Sequence, residues 1–416
     1  MLLPINEHLK KSGNTSLLVH WGSWEYEPGR PKEEHINGLL CRDISYYKTR
    51  FIYNVLKKEK PDCVVILTTS LFIDRAKILA ASALGIPSVY LMCGIVAATD
   101  HAIDSQIKIL ESNFRRKRFT KIPKHLWYIF PNYFYSGLRK DPYYLFRPEP
   151  YKVIYNTFRF PEKWKMYPAP SRELQCDLCL AWGQVYKNFM VKSYGYTQKT
   201  VIVTGHPPLD SACELLNSPP DEQRIKHFLG ENHIDPSKPH VVYIEGQFVK
   251  SKYEGWTNES LLDHLVEIAD LCDAAGKTLV IKLHPNVENK DWLKEKIGAR
   301  AVILQNTDSN MLLFTAESVI GHSSTLINTA IVFKKPVFIP RWGISGIIPP
   351  NYDNTGAVSV CNEPTELLEG LRNSGEKQTR LQSCRNSYIK DYLEPLDGRS
   401  QQRICDAIEQ IAMKTN

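Results

Sequence analysis

Two short polar clusters in this chain each follow an apolar run of strand character, and both carry groups suited to an anion. The first is Lys282-Leu-His-Pro285, at the end of the run that begins at Thr278. The second is Gly321-His322-Ser323-Ser324-Thr325, which follows Ser318-Val-Ile320 and opens an apolar stretch containing Asn328. Hydroxyls, unpaired backbone N–H groups and the positive end of a helix would surround a phosphate at Ser323, Ser324 and Thr325. An ordinary helix cap uses the same residue types, so the serines alone leave both readings open. His284 adds an imidazole able to stabilise or protonate a departing phosphate, the alternative being a strand-end histidine bonded to a loop carbonyl. Glu245-Gly246-Gln247 follows His240-Val-Val-Tyr-Ile244 and offers a carboxylate as base, donor contact or plain loop acid. Rivals for the base are His20, Thr68-Thr69-Ser70 and above all the pair Asp100-His101.

These clusters need a scaffold that ends several strands close together. Short β-branched runs alternate with helical stretches: 16–20, 62–68, 88–93, 177–182 and 200–204, then 240–244, 278–283, 301–304, 318–320, 336–339 and 357–360. Continuous apolar strands separated by helices indicate buried parallel sheet. Leu261, Leu265, Ile268 and Leu271 recur at helical spacing, as do Ile404, Ala407, Ile408 and Ile411 near the C-terminus. The pattern predicts an α/β fold of two facing Rossmann-like domains with parallel sheets and an interdomain cleft. The expected divisions are an N-terminal acceptor domain over 1–205, a proline-containing linker over 206–239, a donor domain over 240–375, and helices over 376–416 crossing back to the N-terminal domain. The chain opens on what reads as a helix, Ile5 to Lys11, rather than a strand, so either the first strand is absent or the start is truncated.

Composition narrows the function classes. Of 416 residues 43% are apolar, and no apolar run reaches the roughly 18 residues that a membrane span needs. The first residues carry charges inside any apolar core and do not read as a signal peptide. Ten scattered cysteines, several within apolar runs, suit a reducing cytoplasm. Cys176 and Cys179 form a lone CxxC with no second pair at zinc spacing, so no metal is expected. The net charge of +7 is concentrated: residues 107–167 hold 14 Lys and Arg against 4 Asp and Glu, together with 17 of the 44 aromatics. Arg115, Arg116, Lys117 and Arg118 head that segment, which suits an anionic acceptor or the inner-membrane surface. Equally, its aromatics can form the core of a helical insertion whose charges face solvent. No recognition motif accompanies the charge, and nucleic acid is not an expected partner.

Several motifs in order, Val203-Thr-Gly-His-Pro-Pro-Leu-Asp210, Lys282-Leu-His-Pro285, Gly321-His-Ser-Ser-Thr325 with Lys335-Pro336-Val337, and Asp397-Gly398, resemble the GT-B superfamily of nucleotide-sugar glycosyltransferases. Within it the chain is most similar to bacterial surface-carbohydrate enzymes, among them sialyltransferases, Kdo transferases and CDP-glycerol polymer transferases. The resemblance implies that His284 contacts the donor phosphate and acts as acid, and that Ser323 and Ser324 bind the same phosphate. Gly246, Gln247, Pro285, His322, Thr325 and Asn328 complete the implied donor site. It further implies an inverting, metal-independent, cofactor-free transfer from a nucleotide-sugar to a bacterial surface glycan or lipid-linked precursor, by a cytoplasmic enzyme that can sit on the inner membrane. Two departures bear on this. Ile244 stands where an acidic-acidic-Gly motif has its first acid, and Asn328 replaces a ribose-binding glutamate, which favours a CMP- or CDP-type donor over UDP. Two alternatives are a non-hydrolysing UDP-N-acetylglucosamine 2-epimerase, which shares a V-T-G-x-x-x-x-D segment, and a catalytically degenerate GT-B module that binds a glycan or partner enzyme.

Overall fold

The computed structural model describes residues 2–24, 31–67, 72–93, 125–159, 175–249, 256–285, 287, 290–322, 324–343, 352, 355–374 and 378–413. They fall into two compact units, one built from the described residues up to 207 together with 395–413, the other from those between 208 and 394.

In the first unit, β1 (Leu17–His20), β2 (Glu33–Ile36) and β3 (Leu39–Asp43) make a small sheet in the order β1-β3-β2, with β1 parallel and β2 antiparallel to β3. The β2–β3 turn is Asn37-Gly38, both at positive φ (46° and 75°), as a tight two-residue hairpin requires. β4 (Val64–Ile66), β5 (Ser88–Leu91), β6 (Leu178–Ala181) and β7 (Val201–Val203) form a separate all-parallel sheet in sequence order. The N-terminal parallel sheet therefore has four strands, not the five expected. β1 is half-buried along its whole length, whereas β5 and β6 are buried at every residue and paired on both sides.

The last helix, Ser400–Met413, belongs to this unit. Ile404, Cys405, Ala407 and Ile408 pack with Ile5 of the first helix, Leu2–Lys11, and with Val89, Leu91, Leu178 and Leu180 of the sheet. Its start is fastened to the end of β7. Arg403 Nε donates to the Thr204 carbonyl at 2.8 Å while the rest of the guanidinium grips both Asp397 oxygens at 2.7 and 2.9 Å. Gly205 sits between at φ 86°, where a Cβ would lie 2.5 Å from Ser400 Oγ and 2.8 Å from the Pro395 carbonyl. The Val-Thr-Gly motif and Asp397 are thus two halves of one clasp.

The aromatic segment divides by exposure. On helix Phe130–Lys140, Tyr133 is buried with Ile44, Ile52, Leu79 and Tyr144. Buried Asn132 accepts from Ile52 N at 2.7 Å and donates to the Arg50 and Tyr128 carbonyls. Trp127, Tyr143, Phe146, Tyr151 and Tyr155 are exposed instead.

The second unit holds β8 (His240–Ile244), β9 (Thr278–Lys282), β10 (Ala301–Leu304), β11 (Ser318–Gly321), β12 (Val337–Pro340) and β13 (Ser359–Cys361), all parallel, in the order β10-β9-β8-β11-β12-β13. β8, β11 and β12 are buried at every residue, as strands covered on both faces must be. Helix Asn258–Ala274 starts with a Thr257/Ser260 capping box and lays Leu261, Leu265, Ile268 and Cys272 on the sheet. Each fully buried aliphatic side chain there contributes roughly 1.5–3 kcal/mol. The expected linker over 206–239 is folded: helices Asp210–Asn217 and Glu222–Glu231 belong to this unit, with Asn310 Nδ2 donating to Ser211 Oγ and Thr307 Oγ1 to Asn232 Oδ1. Its prolines stand before, between and after these helices, Pro207-Pro208, Pro219-Pro220, and Pro236 with Pro239, rather than extending the chain.

Gly205→Ala therefore combines a left-handed backbone with a steric clash and should lower stability by roughly 2–5 kcal/mol. At Gly276 (φ 71°) nothing lies within 4 Å of a built Cβ, so its change to Ala should cost only about 1–2 kcal/mol. Urea unfolding of the two variants measures the difference, and equal losses would contradict the clasp.

Candidate functional site

Three loops leave adjacent strands of the second unit at the carboxyl edge. β8 lies between β9 and β11, with Ile244 opposite Lys282 on one side and Gly321 on the other. Beyond the strands Glu245 N still donates to the Lys282 carbonyl at 3.0 Å. Glu245, His284 and the His322–Thr325 loop therefore emerge side by side where chain order reverses, between the first and fourth strands of the unit. In open α/β sheets this switch point is where ligands bind.

Glu245 is 5% exposed. Gln247, in the left-handed region at φ 56°, turns its N–H back onto Glu245 Oε1 at 2.6 Å, while Oε2 has no partner among the described residues. Burial pushes the carboxyl above its ordinary range, against the lowering effect of backbone N–H groups of Gln247 and His284. Gly246 is required by packing, since a Cβ would meet the Phe248 ring at 2.5 Å. His284 is half-buried and Pro285 exposed at the next loop.

The serine loop is less uniform than its sequence suggests. Ser324 Oγ accepts from Leu326 N at 3.3 Å, a local cap. Thr325, the N-cap of helix Leu326–Val332, makes no capping bond with its side chain. The helix spans only seven residues, so hydroxyls and first-turn N–H groups must do more than a macrodipole.

Two expected donor contacts are corrected. His322 is 1% exposed and faces the core: its Nε2 lies 3.1 Å from Tyr243 Oη and 3.3 Å from His264 Nε2, inside a ring of Phe248 and Trp256. Burial, with His264 beside it, drives its imidazole well below the ordinary histidine range, and burial alone brings His264 to about 4. Asn328 is also fully buried and accepts from Tyr388 Oη at 3.0 Å, so it ties its helix to Gln378–Tyr388 instead of a ribose. Both follow from the register: Gly321 closes a buried strand, and every residue from Ile327 to Val332 is buried. Sequence reasoning missed Tyr243, His264 and Trp256, although His264 at helical spacing from Leu261 and Ile268 marks an inward position.

In the first unit His20 Nδ1 lies 3.3 Å from Asp43 Oδ2. Burial works against the Asp43 charge, but hydrogen bonds from Ser23 and Ser45 outweigh it and hold the carboxyl at about 2. His206 is buried against Trp182, with ring centroids 3.7 Å apart. Asp100, His101, Ser323, Thr68, Thr69, Ser70, Arg115, Arg116, Lys117 and Arg118 lie outside the described residues. All ten cysteines are free, Cys176 and Cys179 buried with thiols raised by burial. Among the described residues no cluster of three or more His, Cys, Asp or Glu is arranged to hold a metal, and no helix is long and apolar enough to cross a membrane.

A family model described as CDP-Glycerol:Poly(glycerophosphate) glycerophosphotransferase matches residues 165–410. No curated protein sequence matches. Among solved structures, UDP-GlcNAc 2-epimerase from Methanocaldococcus jannaschii, in complex with UDP-GlcNAc and UDP, superposes with TM-score 0.54 at 16% identity, over 98% of this chain and 96% of that one. The Neisseria meningitidis UDP-GlcNAc 2-epimerase bound to UDP-GlcNAc gives 0.50 at 15% identity, over 86% and 79%. A structure of the wall teichoic acid polymerase TagF gives 0.44 at 15% identity, over 57% and 59%, so this chain spans about three fifths of that protein's length. The likeness to the epimerases shows the fold, which is GT-B.

The buried imidazoles make stability pH-dependent with a definite sign. Unfolded His264 takes up a proton near 6.5 and the folded residue only near 4, so between those values the unfolded state binds more protons and acid favours it. Urea unfolding at stepwise lower pH should show stability falling below about pH 6.5. His264→Phe should remove up to about 1.4 kcal/mol per pH unit of that slope; an unaltered slope would contradict a neutral buried His264.

Proposed function

The chain belongs to the CDP-Glycerol:Poly(glycerophosphate) glycerophosphotransferase family, and from that premise we propose that it is a transferase of cell-envelope polymer assembly using a CDP- or CMP-linked donor. The group moved is a glycerol phosphate or a sugar, and the acceptor is the end of a surface glycan or its lipid-linked precursor. The carrying observation is the adjacent ending of β8, β9 and β11, with Glu245, His284, Ser324 and Thr325 at one sheet edge beside the strand-order reversal.

In this reading an acceptor hydroxyl oxygen attacks the donor, the bond to the nucleotide phosphate breaks, and the nucleotide leaves with the electron pair. Negative charge grows on its phosphate. The His284 imidazolium, the Ser324 and Thr325 hydroxyls and the first-turn N–H groups meet that charge without a metal or cofactor. Glu245 suits the same site because burial raises its carboxyl pKa and so eases its protonation, and a protonated carboxyl donates to a phosphate oxygen where a carboxylate would repel it. Asp100 and His101 are the proposed acceptor bases, and Ser323, Gly246, Gln247 and Pro285 complete the donor loops.

Thermal shift against CMP, CDP, UDP and GDP should give the largest stabilisation with a cytidine nucleotide. His284→Ala should lower kcat for nucleotide release by roughly 10²–10⁴-fold while cytidine-nucleotide affinity stays within a few fold. An unaffected rate would remove His284 from the chemistry.

A lipid-linked acceptor calls for contact with a bilayer. Trp127, Tyr143 and Phe146, exposed at 64%, 71% and 85%, support that contact together with Arg139, Arg147 and Lys152 on the same segment. Aromatic and basic side chains in company suit an anionic interface. Sedimentation with phosphatidylglycerol vesicles should capture the protein at low salt, and the double change Tyr143→Ser and Phe146→Ser should cut partitioning roughly tenfold or more. Equal binding by this variant, or to uncharged vesicles, would count against the segment as the docking surface.

A further inference from the structure

We propose that Gln305, with Lys282 behind it, is a positioning residue that sets the backbone of the His284 loop and hence the direction of its imidazole; the consequence for catalysis rests on the function proposed above, the positioning itself does not. β9 and β10 end level with one another, Lys282 opposite Leu304, and Leu283 N donates to the Leu304 carbonyl at 2.8 Å. Gln305 is the next residue. Its Nε2 donates to three carbonyls of the neighbouring loop, Val287 at 2.8 Å, Pro285 at 3.1 Å and His284 at 3.2 Å. Val287 N closes the turn onto the same His284 carbonyl at 3.0 Å.

A loop whose carbonyls converge on one amide has few other conformations open to it. An amide nitrogen carries two hydrogens, so three acceptors must share them, and any rotation about Pro285 breaks at least one bond. Lys282 anchors this arrangement from within. It is 5% exposed, and its Nζ donates to the Leu283 carbonyl at 2.9 Å and the Gln305 carbonyl at 2.7 Å, stapling the two strand ends where the loop departs. Burial lowers its ammonium pKa, consistent with its use as a hydrogen-bond donor rather than a surface charge. The lysine of Lys-Leu-His-Pro is thereby accounted for: it holds the strand end from which the half-buried His284 follows two residues on.

A misplacement of about 1 Å at a reacting group can cost on the order of 10²-fold in rate. Gln305→Leu deletes the donors and leaves an apolar side chain one heavy atom shorter. In the full-length protein, histidine-selective NMR with the His284 signal assigned through His284→Gln should show that signal shifted or broadened in Gln305→Leu, while the buried His264 and His322 signals stay in place. With a cytidine-nucleotide donor, kcat should fall about 10- to 100-fold and donor KM should change less than about threefold. Gln305→Glu should be weaker still at neutral pH, where a carboxylate faces three carbonyls, and should recover towards acid as the protonated carboxyl regains one donor. A His284 signal unchanged in both variants overturns the proposal. If the wild-type protein neither binds a cytidine nucleotide nor releases one, the functional reading fails alone, and the NMR comparison still decides the positioning.

Discussion

The parallel pairing of β8 with β9 on one side and β11 on the other is the constraint on which the candidate site depends. It aligns Ile244 with Lys282 and with Gly321, so the three following segments leave the sheet at the same height. Because β8 and β11 are buried on both faces, slipping either strand would expose apolar residues and strand backbone groups without partners. The relative placement of Glu245, His284 and Ser324 is therefore inherited first from hydrophobic burial and ladder hydrogen bonds, and the His284 backbone N–H on the Glu245 carboxyl adds to a placement already made.

Behind that edge lies a layer of polar contacts, most of them buried, that holds the loops from the core. Tyr243, His264 and His322 form one chain of contacts, Asn328 and Tyr388 another, and Lys282 with Gln305 a third. In a low-dielectric interior such groups must be neutral or bonded. The depressed histidines and the raised Glu245 carboxyl are the same effect seen from both signs of charge, since burial disfavours whichever form is ionised. Two residues that look like ligand contacts in sequence are spent on this layer, which leaves hydroxyls, backbone N–H groups and His284 at the edge.

The first unit shows a motif used for construction. Gly205 and Thr204 look like a signature of function by resemblance, yet their backbone receives Ser400 and Arg403 and ties the last helix to β7. Asp397 is kept in its charged form by the Arg403 fork and sits outside any site described. Its charge assists a hydrogen bond whose purpose is to hold a chain end.

All eleven strands expected from apolar runs are present, because β-branched apolar runs bounded by turn residues are detectable locally whether the strand is buried throughout, like β8, or half-buried, like β1. The parallel class, the helix stripes at Leu261 to Ile268 and Ile404 to Ile408, and the positions of the three polar loops after strand ends were legible for the same reason. The hairpin of β2 and β3 was missed although Asn37-Gly38 announces it, since Glu33-Glu-His-Ile36 has too little apolar character to read as a strand. What the sequence determined by itself is the order of elements and the chemistry of each loop. What only the tertiary structure decided is which loops are neighbours and which way their side chains turn: His322 and Asn328 inward, Gln305 onto a loop eighteen to twenty-one residues before it. Those choices are made by strand order and by burial across the sheet, and no pattern within a single segment carries that information.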